Sequence, residues 1–231
     1  MADKLIRYMQ ESSANIVTEN RNYTIYNQIP FIVKDPIPQG ISLNAVIKTL
    51  ESYLPSKFAQ NVDSIYIGQF DELLEREITS VWKDGAIFVD NEQESVDDIV
   101  EDLMHEIAHA TEDAFQFEIY ADDNIEYEFL LKRRHLYDIL VSHEVESLPT
   151  QDVFLSLGYN EQFDEYLHKT IGYEKLTWMT MGLFASPYGA TSVREYFANG
   201  FEEYFSPDGD RTELKMISPA VYNKIEQLMD L

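Results

Sequence analysis

The pattern of apolar and polar residues in the first part of the chain predicts a small sheet with one helix among its strands. Residues 22–35, NYTIYNQIPFIVKD, are rich in β-branched and aromatic residues and predict one or two strands. Residues 41–54 carry apolar side chains at helical spacing and are followed by Pro55, which predicts a helix that ends there. Residues 62–70 (VDSIYIGQF) and 85–91 (GAIFVDN) predict two further strands.

A longer amphipathic helix is predicted next. Ser95 and Asp98 have the spacing of a capping box. Apolar residues then recur at intervals of three and four as far as Ala114, which predicts a helix packed on the sheet. Beyond about residue 119 the pattern is mainly helical. Strands first and helices afterwards predict an α+β fold.

The composition is that of a globular protein. The chain has 231 residues, of which 45% are apolar, and this suits one sizeable domain over residues 1–231. The polar residues 1–21 are predicted to form an arm that is either helical or loose. The start has no apolar core of signal-peptide length, and no long apolar run follows, so a cytoplasmic chain without a membrane segment is expected. Export by another route and delivery by a phage stay open.

Acidic residues dominate the charge. The chain has 17 basic and 42 acidic residues, a formal net charge of −25. This charge argues against binding nucleic acid through its phosphates and against anionic membranes. It fits a soluble acidic surface, and it also fits a basic substrate or partner. Cysteine is absent, so any metal ligands must be histidine or acidic residues.

Two histidines lie four residues apart in the predicted helix, in the stretch EDLMHEIAHATEDAF. His105 and His109 therefore share one helix face, and both imidazoles can reach one zinc ion at about 2 Å. Glu106 can meet a water molecule on that zinc and accept its proton. This His-Glu-x-x-His pattern is typical of metalloproteases, although it can also arise by chance on an acidic helix.

A catalytic zinc site needs a third protein ligand. In metzincins it is a histidine six residues after the second motif histidine, and that position is Phe115 here. Glu118 and Asp122 have the spacing of a thermolysin-like ligand motif but lie close to the histidines on the same predicted helix. Glu195, much later in the chain, is another candidate, although it could instead belong to a capping box at a helix start.

Residues 188–201, YGATSVREYFANGF, resemble the closing motif of the anthrax lethal factor family of zinc metalloproteases, which includes the clostridial Pro-Pro endopeptidases. The shared positions, which include an alanine and an acid after the second histidine, are Tyr188, Glu195, Phe197, Ala198, Phe201, Ala110 and Glu112. The resemblance implies a zincin-like fold of the gluzincin type and a zinc-dependent endopeptidase. It further implies that Glu195 is the third zinc ligand and that Tyr188 stabilises the oxyanion.

The chain departs from that family in two ways. Asn199 stands where the family usually has a glutamate, so one bond around the metal ligands is expected to differ. The stretch between the second histidine and Glu195 is also longer, which predicts a helical insertion over residues 119–185. Glu112 or Asp113 could orient a motif histidine through the other nitrogen of its ring, with Glu112 the better candidate, although either could be an ordinary surface acid.

The resemblance also implies a protein or peptide substrate that is aligned along an edge strand. We predict that strand to be Ala86, Ile87, Phe88 and Val89. Two other classes of function stay open. One is a zincin-like structural or assembly protein that binds metal without turnover, and the other is an acidic inhibitor or DNA mimic without metal. The sequence contains no indication of the oligomeric state.

Overall fold

Five short strands form one mixed sheet. The computed structural model describes residues 4–15 and 23–231. The strands are β1 Tyr23–Ile25, β2 Ile29–Val33, β3 Ser64–Ile67, β4 Ser80–Lys83 and β5 Ala86–Val89. Their order in the sheet is β1-β2-β3-β5-β4. The three inner strands run parallel, and each outer strand pairs antiparallel with its neighbour. Where the sequence predicts one or two strands, at residues 22–35, the structure has two.

The sheet belongs to the first of two compact units, residues 1–114 and 115–231. The helices of the first unit are α1 Lys4–Asn15, α2 Leu43–Tyr53, α3 Asp71–Arg76 and α4 Val96–Ala114, with a 3₁₀ turn at Ser56–Ala59. Helix α2 ends before Pro55, as the sequence predicts, and α4 contacts β4 and β5. The α+β class is thus confirmed.

The described part of the predicted N-terminal arm is a helix. Leu5 of α1 is buried with Tyr66 and Phe88 of the sheet, and Tyr8 packs edge-on against Tyr66. Lys4 forms exposed ion pairs with α3. The other residues of the predicted arm, 1–3 and 16–21, lie outside the described residues.

The prediction that residues 86–89 form an edge strand is wrong. A turn at Asp84 and Gly85, both with positive φ, folds the chain so that β4 pairs with one side of β5 while β3 pairs with the other. All four residues of β5 are at most 1% exposed. An unbroken apolar run is what a strand buried on both faces requires, whereas the half-exposed β4 residues suit an edge. The edge strand on this side of the sheet is β4, which the sequence pattern did not predict.

The second unit consists of helices, as predicted for the chain beyond residue 119. They are α5 Gln116–Tyr120, α6 Asn124–Ser142, α7 Gln151–Phe154, α8 Glu161–Glu165, α9 Tyr173–Met179, α10 Val193–Phe205, α11 Arg211–Ile217 and α12 Pro219–Met229. A π-helical turn lies at Tyr166–Ile171 and a 3₁₀ turn at Tyr188–Ala190. Among the described helices, none has the length and apolar character needed to cross a bilayer.

Helix α10 packs closely on α12 through its one glycine. A Cβ atom added to Gly200 would lie 2.6 Å from Cγ1 of Val221, which is fully buried. This distance is too short for a real contact, so glycine lets the two helices approach each other here. The close approach fixes the middle of α10, and the first turn of the same helix carries Glu195.

Candidate metal centre

Helix α4 begins with the predicted capping box. Ser95 Oγ accepts a hydrogen bond from Asp98 N at 3.1 Å, and Asp98 Oδ2 accepts one from Ser95 N at 3.0 Å. These reciprocal bonds satisfy backbone donors that a helix start leaves without partners. The apolar stripe of the helix is buried, and this orients the opposite face, which carries the motif histidines.

The two histidines lie side by side on α4. The ring centroids of His105 and His109 are 5.0 Å apart, and the ring planes are inclined at 82°. Both side chains are half-buried. This is the geometry that the spacing of four predicts for two nitrogen ligands on one helix face.

Glu195 lies in the first turn of α10. Ser192 Oγ accepts a hydrogen bond from Glu195 N at 3.2 Å, so the serine caps this helix. This bond is the half of a capping box that uses the backbone N–H of Glu195, and the carboxylate takes no part in it.

The structure brings three of the predicted site residues together. Ligand atoms of His105, His109 and Glu195 all lie within 4.8 Å of one another, and within residues 4–15 and 23–231 they are the one group of three or more His, Asp and Glu side chains with this geometry. Ligands that bind one zinc ion at about 2 Å lie roughly 3–4 Å apart. These three side chains could therefore hold one metal ion.

Glu112 lies beside the second histidine. Its Oε2 is 3.6 Å from His109 Nδ1, and the carboxylate is buried. A carboxylate near one ring nitrogen favours the orientation in which the other nitrogen faces a metal. This is the position that the sequence predicts for a residue that orients a motif histidine.

Glu106 is held at the edge of the sheet. Its carboxylate is only 5% exposed and accepts one hydrogen bond on each oxygen, from Ser80 Oγ at 2.8 Å and from Trp82 N at 2.5 Å. Asp90 N donates to Thr79 O, so alternate residues of β4 bond to β5 and the Trp82 N–H faces away from it. Sequence reasoning missed both donors because it did not predict β4.

Asp102 is a second residue that the sequence analysis missed. Burial raises the pKa of its carboxyl to about 7, and the charge of Glu106 acts in the same direction. Hydrogen bonds from Thr79 Oγ1 at 2.9 Å and Gln93 Nε2 at 2.6 Å, together with the charge of His105, oppose that rise. One turn before the motif, Asp102 could have been noticed as an acid at position i−3 from His105.

Asp102 should make the metal-free protein less stable as the pH rises. The folded protein holds the Asp102 proton up to about pH 7, whereas the unfolded chain releases it near pH 4, so stability is lost between these values. In Asp102→Asn this loss is absent, and the variant should exceed the wild type by on the order of 1–3 kcal/mol at pH 8 but not at pH 4. Urea unfolding with chelator present measures the difference. Asp97→Asn, on the exposed side of α4, is the control, and an equal gain at all pH values would contradict the prediction.

Tyr188 begins the 3₁₀ turn that precedes α10. Its carbonyl accepts hydrogen bonds from Thr191 N at 3.0 Å and Thr191 Oγ1 at 2.8 Å, which close the turn. The side chain is half-buried. Burial and then Asp164 raise the pKa of Tyr173 above its usual range, and Tyr188 makes a smaller contribution in the same direction. The phenol thus lies in a region with further tyrosines and one carboxylate.

Asn199 supports the same turn. Ser186 Oγ donates a hydrogen bond to Asn199 Oδ1, and Gly189 packs against the asparagine side chain. Asn199 therefore contacts the residues on both sides of Tyr188. The contacts that the structure shows for this residue concern the turn, and its predicted role beside the metal ligands stays a prediction.

The alternative third ligands lie elsewhere. Asp122 pairs with Lys224 Nζ at 2.9 Å, and this ion pair lowers the pKa of the carboxyl. The Glu118 carbonyl accepts a hydrogen bond from the same lysine. Neither residue belongs to the group of converging ligand atoms in the described part of the chain.

Searches against protein-family models, curated proteins and solved structures found no match for this chain. The resemblance to the lethal factor family therefore stays a prediction based on the residues quoted above. The candidate metal centre rests on the identities of its side chains and on their convergence.

Proposed function

We propose that the chain is a zinc-dependent endopeptidase whose zinc is bound by His105, His109 and Glu195. The observation that supports this proposal is the convergence of these three ligand atoms from positions about ninety residues apart in sequence. Two imidazoles and one carboxylate are a donor set that suits zinc. Three protein ligands leave a fourth position open, as catalytic rather than structural zinc sites do. When bound, zinc would supply a Lewis acid that polarises a carbonyl and lowers the pKa of water.

Glu106 is the proposed general base. Its carboxylate lies next in sequence to the first ligand, and the donors of β4 fix both of its oxygens. A base held in one orientation can accept the proton of the attacking water and then deliver it to the leaving amine. Since each carboxylate oxygen has further lone pairs, the two hydrogen bonds leave acceptor capacity for that proton.

Tyr188 is the proposed donor to the oxyanion. Its phenol is a neutral hydrogen-bond donor, and the closed turn around Thr191 and Asn199 limits the movement of its backbone. A donor held before the reaction stabilises the developing negative charge without reorganisation. Tyr188 and Glu195 lie on one short segment, so a single turn and the start of a helix set their relative positions in space.

The substrate would be an extended peptide, and the acidic chain favours one with basic residues. Strand β4, rather than β5, is the edge strand that could align such a peptide. One side of β4 bonds to β5, and the backbone groups on its other side belong to Ser80 and Trp82. The carboxylate of Glu106 already binds one of these groups, so a peptide aligned there would lie close to the proposed base.

Metal analysis of the purified protein tests the proposal. We expect about one zinc ion per chain after exposure to zinc and dialysis, and hydrolysis of a peptide library that stops with a chelator and returns with zinc. His109→Ala should lose the zinc. His143→Ala, at the exposed end of α6, should keep it and serves as the matched control. A wild-type chain that binds no zinc would overturn the proposal and favour the acidic inhibitor or DNA mimic.

A further inference from the structure

Helix α6 buries two adjacent cations. Lys132 is 7% exposed and Arg133 is 1% exposed. The chain contains many more acidic than basic residues that could form ion pairs with them. The acceptors that the structure shows for both are backbone carbonyls and one serine hydroxyl. Burial lowers the pKa of Lys132 to about 8 and that of Arg133 to about 9. A buried cation whose hydrogen bonds go to neutral acceptors is unfavourable by itself, so its contacts need an explanation.

Arg133 donates hydrogen bonds to the segment 188–195, which carries the proposed site residues Tyr188 and Glu195, and to the end of α7. One terminal nitrogen, Nη1, donates to Ala190 O at 2.6 Å and to Thr191 O at 3.1 Å. The other, Nη2, donates to Val153 O at 2.6 Å at the end of α7. The guanidinium carbon lies 4.1 Å from the ring centroid of Phe163, which holds the plane of the group.

The two carbonyls that Nη1 binds, those of Ala190 and Thr191, lie between Tyr188 and Glu195 in the chain. Thr191 is the residue before Ser192, the N-cap of α10, and it also closes the turn on Tyr188. Nη1 donates to two successive carbonyls while Nη2 is held by Val153 O, so the planar guanidinium fixes the direction of this backbone as well as its position. A shift of Arg133 would therefore move the start of α10, and the carboxylate of Glu195 with it.

We propose that Arg133 is a positioning residue that fixes the segment 188–195, so that Glu195 and Tyr188 are held in place for the proposed zinc centre. This inference rests on the proposed function. It also assigns a role to the helical region 119–185, which is longer than the lethal factor family leads one to expect. Helix α6 in that region braces the segment that carries the third ligand.

Lys132 provides a matched comparison on the same helix. Its ammonium donates to Leu183 O. It also donates to Ile217 O and Ser218 Oγ at the junction of α11 and α12. None of these acceptors lies in the segment 188–195. Both cations are thus buried and donate mainly to backbone carbonyls, but they brace different parts of the unit.

The experiment compares full-length Arg133→Met and Lys132→Met with the wild type. Both variants should lose several degrees of melting temperature, because each leaves carbonyls without their donor. Zinc affinity, measured by competition with a chromophoric chelator, should fall about 10–100-fold in Arg133→Met and stay within about twofold in Lys132→Met. The kcat of zinc-loaded Arg133→Met should fall more than its KM rises, since the proposed role concerns the reacting groups.

Arg133→Lys keeps the inference testable if Arg133→Met does not fold. The lysine retains the charge but not the planar fork, so zinc affinity should again fall below that of the wild type. Wild-type affinity in the folded Arg133 variants, or an equal loss in Lys132→Met, would overturn the inference. A wild-type chain without zinc would instead overturn the proposed function, and the two failures are therefore distinguishable.

Discussion

Glu106→Gln should abolish peptide hydrolysis and leave zinc bound. Glutamine has no carboxylate to accept the proton of the attacking water, and a general base of this kind contributes about 10²–10⁴-fold to the rate. The proposed ligands are not changed, so the variant should bind zinc as the wild type does. Peptide cleavage and zinc content, measured on the same preparation, give both parts of the result.

The fold should tolerate this substitution. The amide oxygen of glutamine can still accept from Trp82 N, and its amide nitrogen can donate to Ser80 Oγ, because a hydroxyl both donates and accepts. Glu101→Gln, five residues earlier on α4, removes the same charge at a position outside the proposed site and should remain active. Full hydrolysis by a zinc-loaded Glu106→Gln would exclude Glu106 as the base, and loss of zinc with the activity would make the result a defect of binding.

Glu195→Ala should lower zinc affinity more than any change outside the ligands. Removing one of three protein ligands leaves two imidazoles on one helix, and we expect a loss on the order of 10²-fold or more, above the usual 10–100-fold effect of residues around a site. Competition with a chelator measures the affinity directly. Hydrolysis should fall as well, but the binding measurement decides the assignment because it does not depend on the choice of substrate.

Two further variants sharpen this test. Glu195→Gln keeps the size and the Ser192 cap, since the cap binds the backbone N–H, so a loss of zinc in this variant would concern the carboxylate alone. Glu203→Ala is the matched control and should keep zinc. Glu203 lies later on α10 than Glu195, and its carboxylate accepts a hydrogen bond from Asp210 N. If Glu195→Ala binds zinc as tightly as the wild type, the third ligand lies elsewhere, and an acid outside this group would have to be sought.

Local patterns predicted the elements of secondary structure well. Helix α4, with its capping box at Ser95 and Asp98, follows from residues within a few positions of one another. The same holds for α2, which ends before Pro55, and for β1 and β2, which β-branched and aromatic residues predict. The exceptions are the short helix α3, which no pattern predicted, and β4, whose four half-exposed residues have no strong apolar alternation, so that only the turn at Asp84 and Gly85 indicates a hairpin.

The sequence by itself determined the part of the candidate site that depends on helical periodicity. His105, Glu106 and His109 share a helix, so their spacing alone places the two imidazoles on one face. The spacing of seven between Tyr188 and Glu195 likewise reflects one turn and a helix start. Such relations survive in any fold that keeps the local helix, because the backbone dihedrals set them.

Only the tertiary structure decided which distant groups meet. It brought a carboxylate from α10 within 4.8 Å of the histidine ligand atoms, placed β5 inside the sheet, and gave Glu106 its donors on β4. It also buried Arg133 against the carbonyls before α10. These contacts join residues far apart in the chain, and no window of local sequence contains the packing and hydrogen bonding that select them.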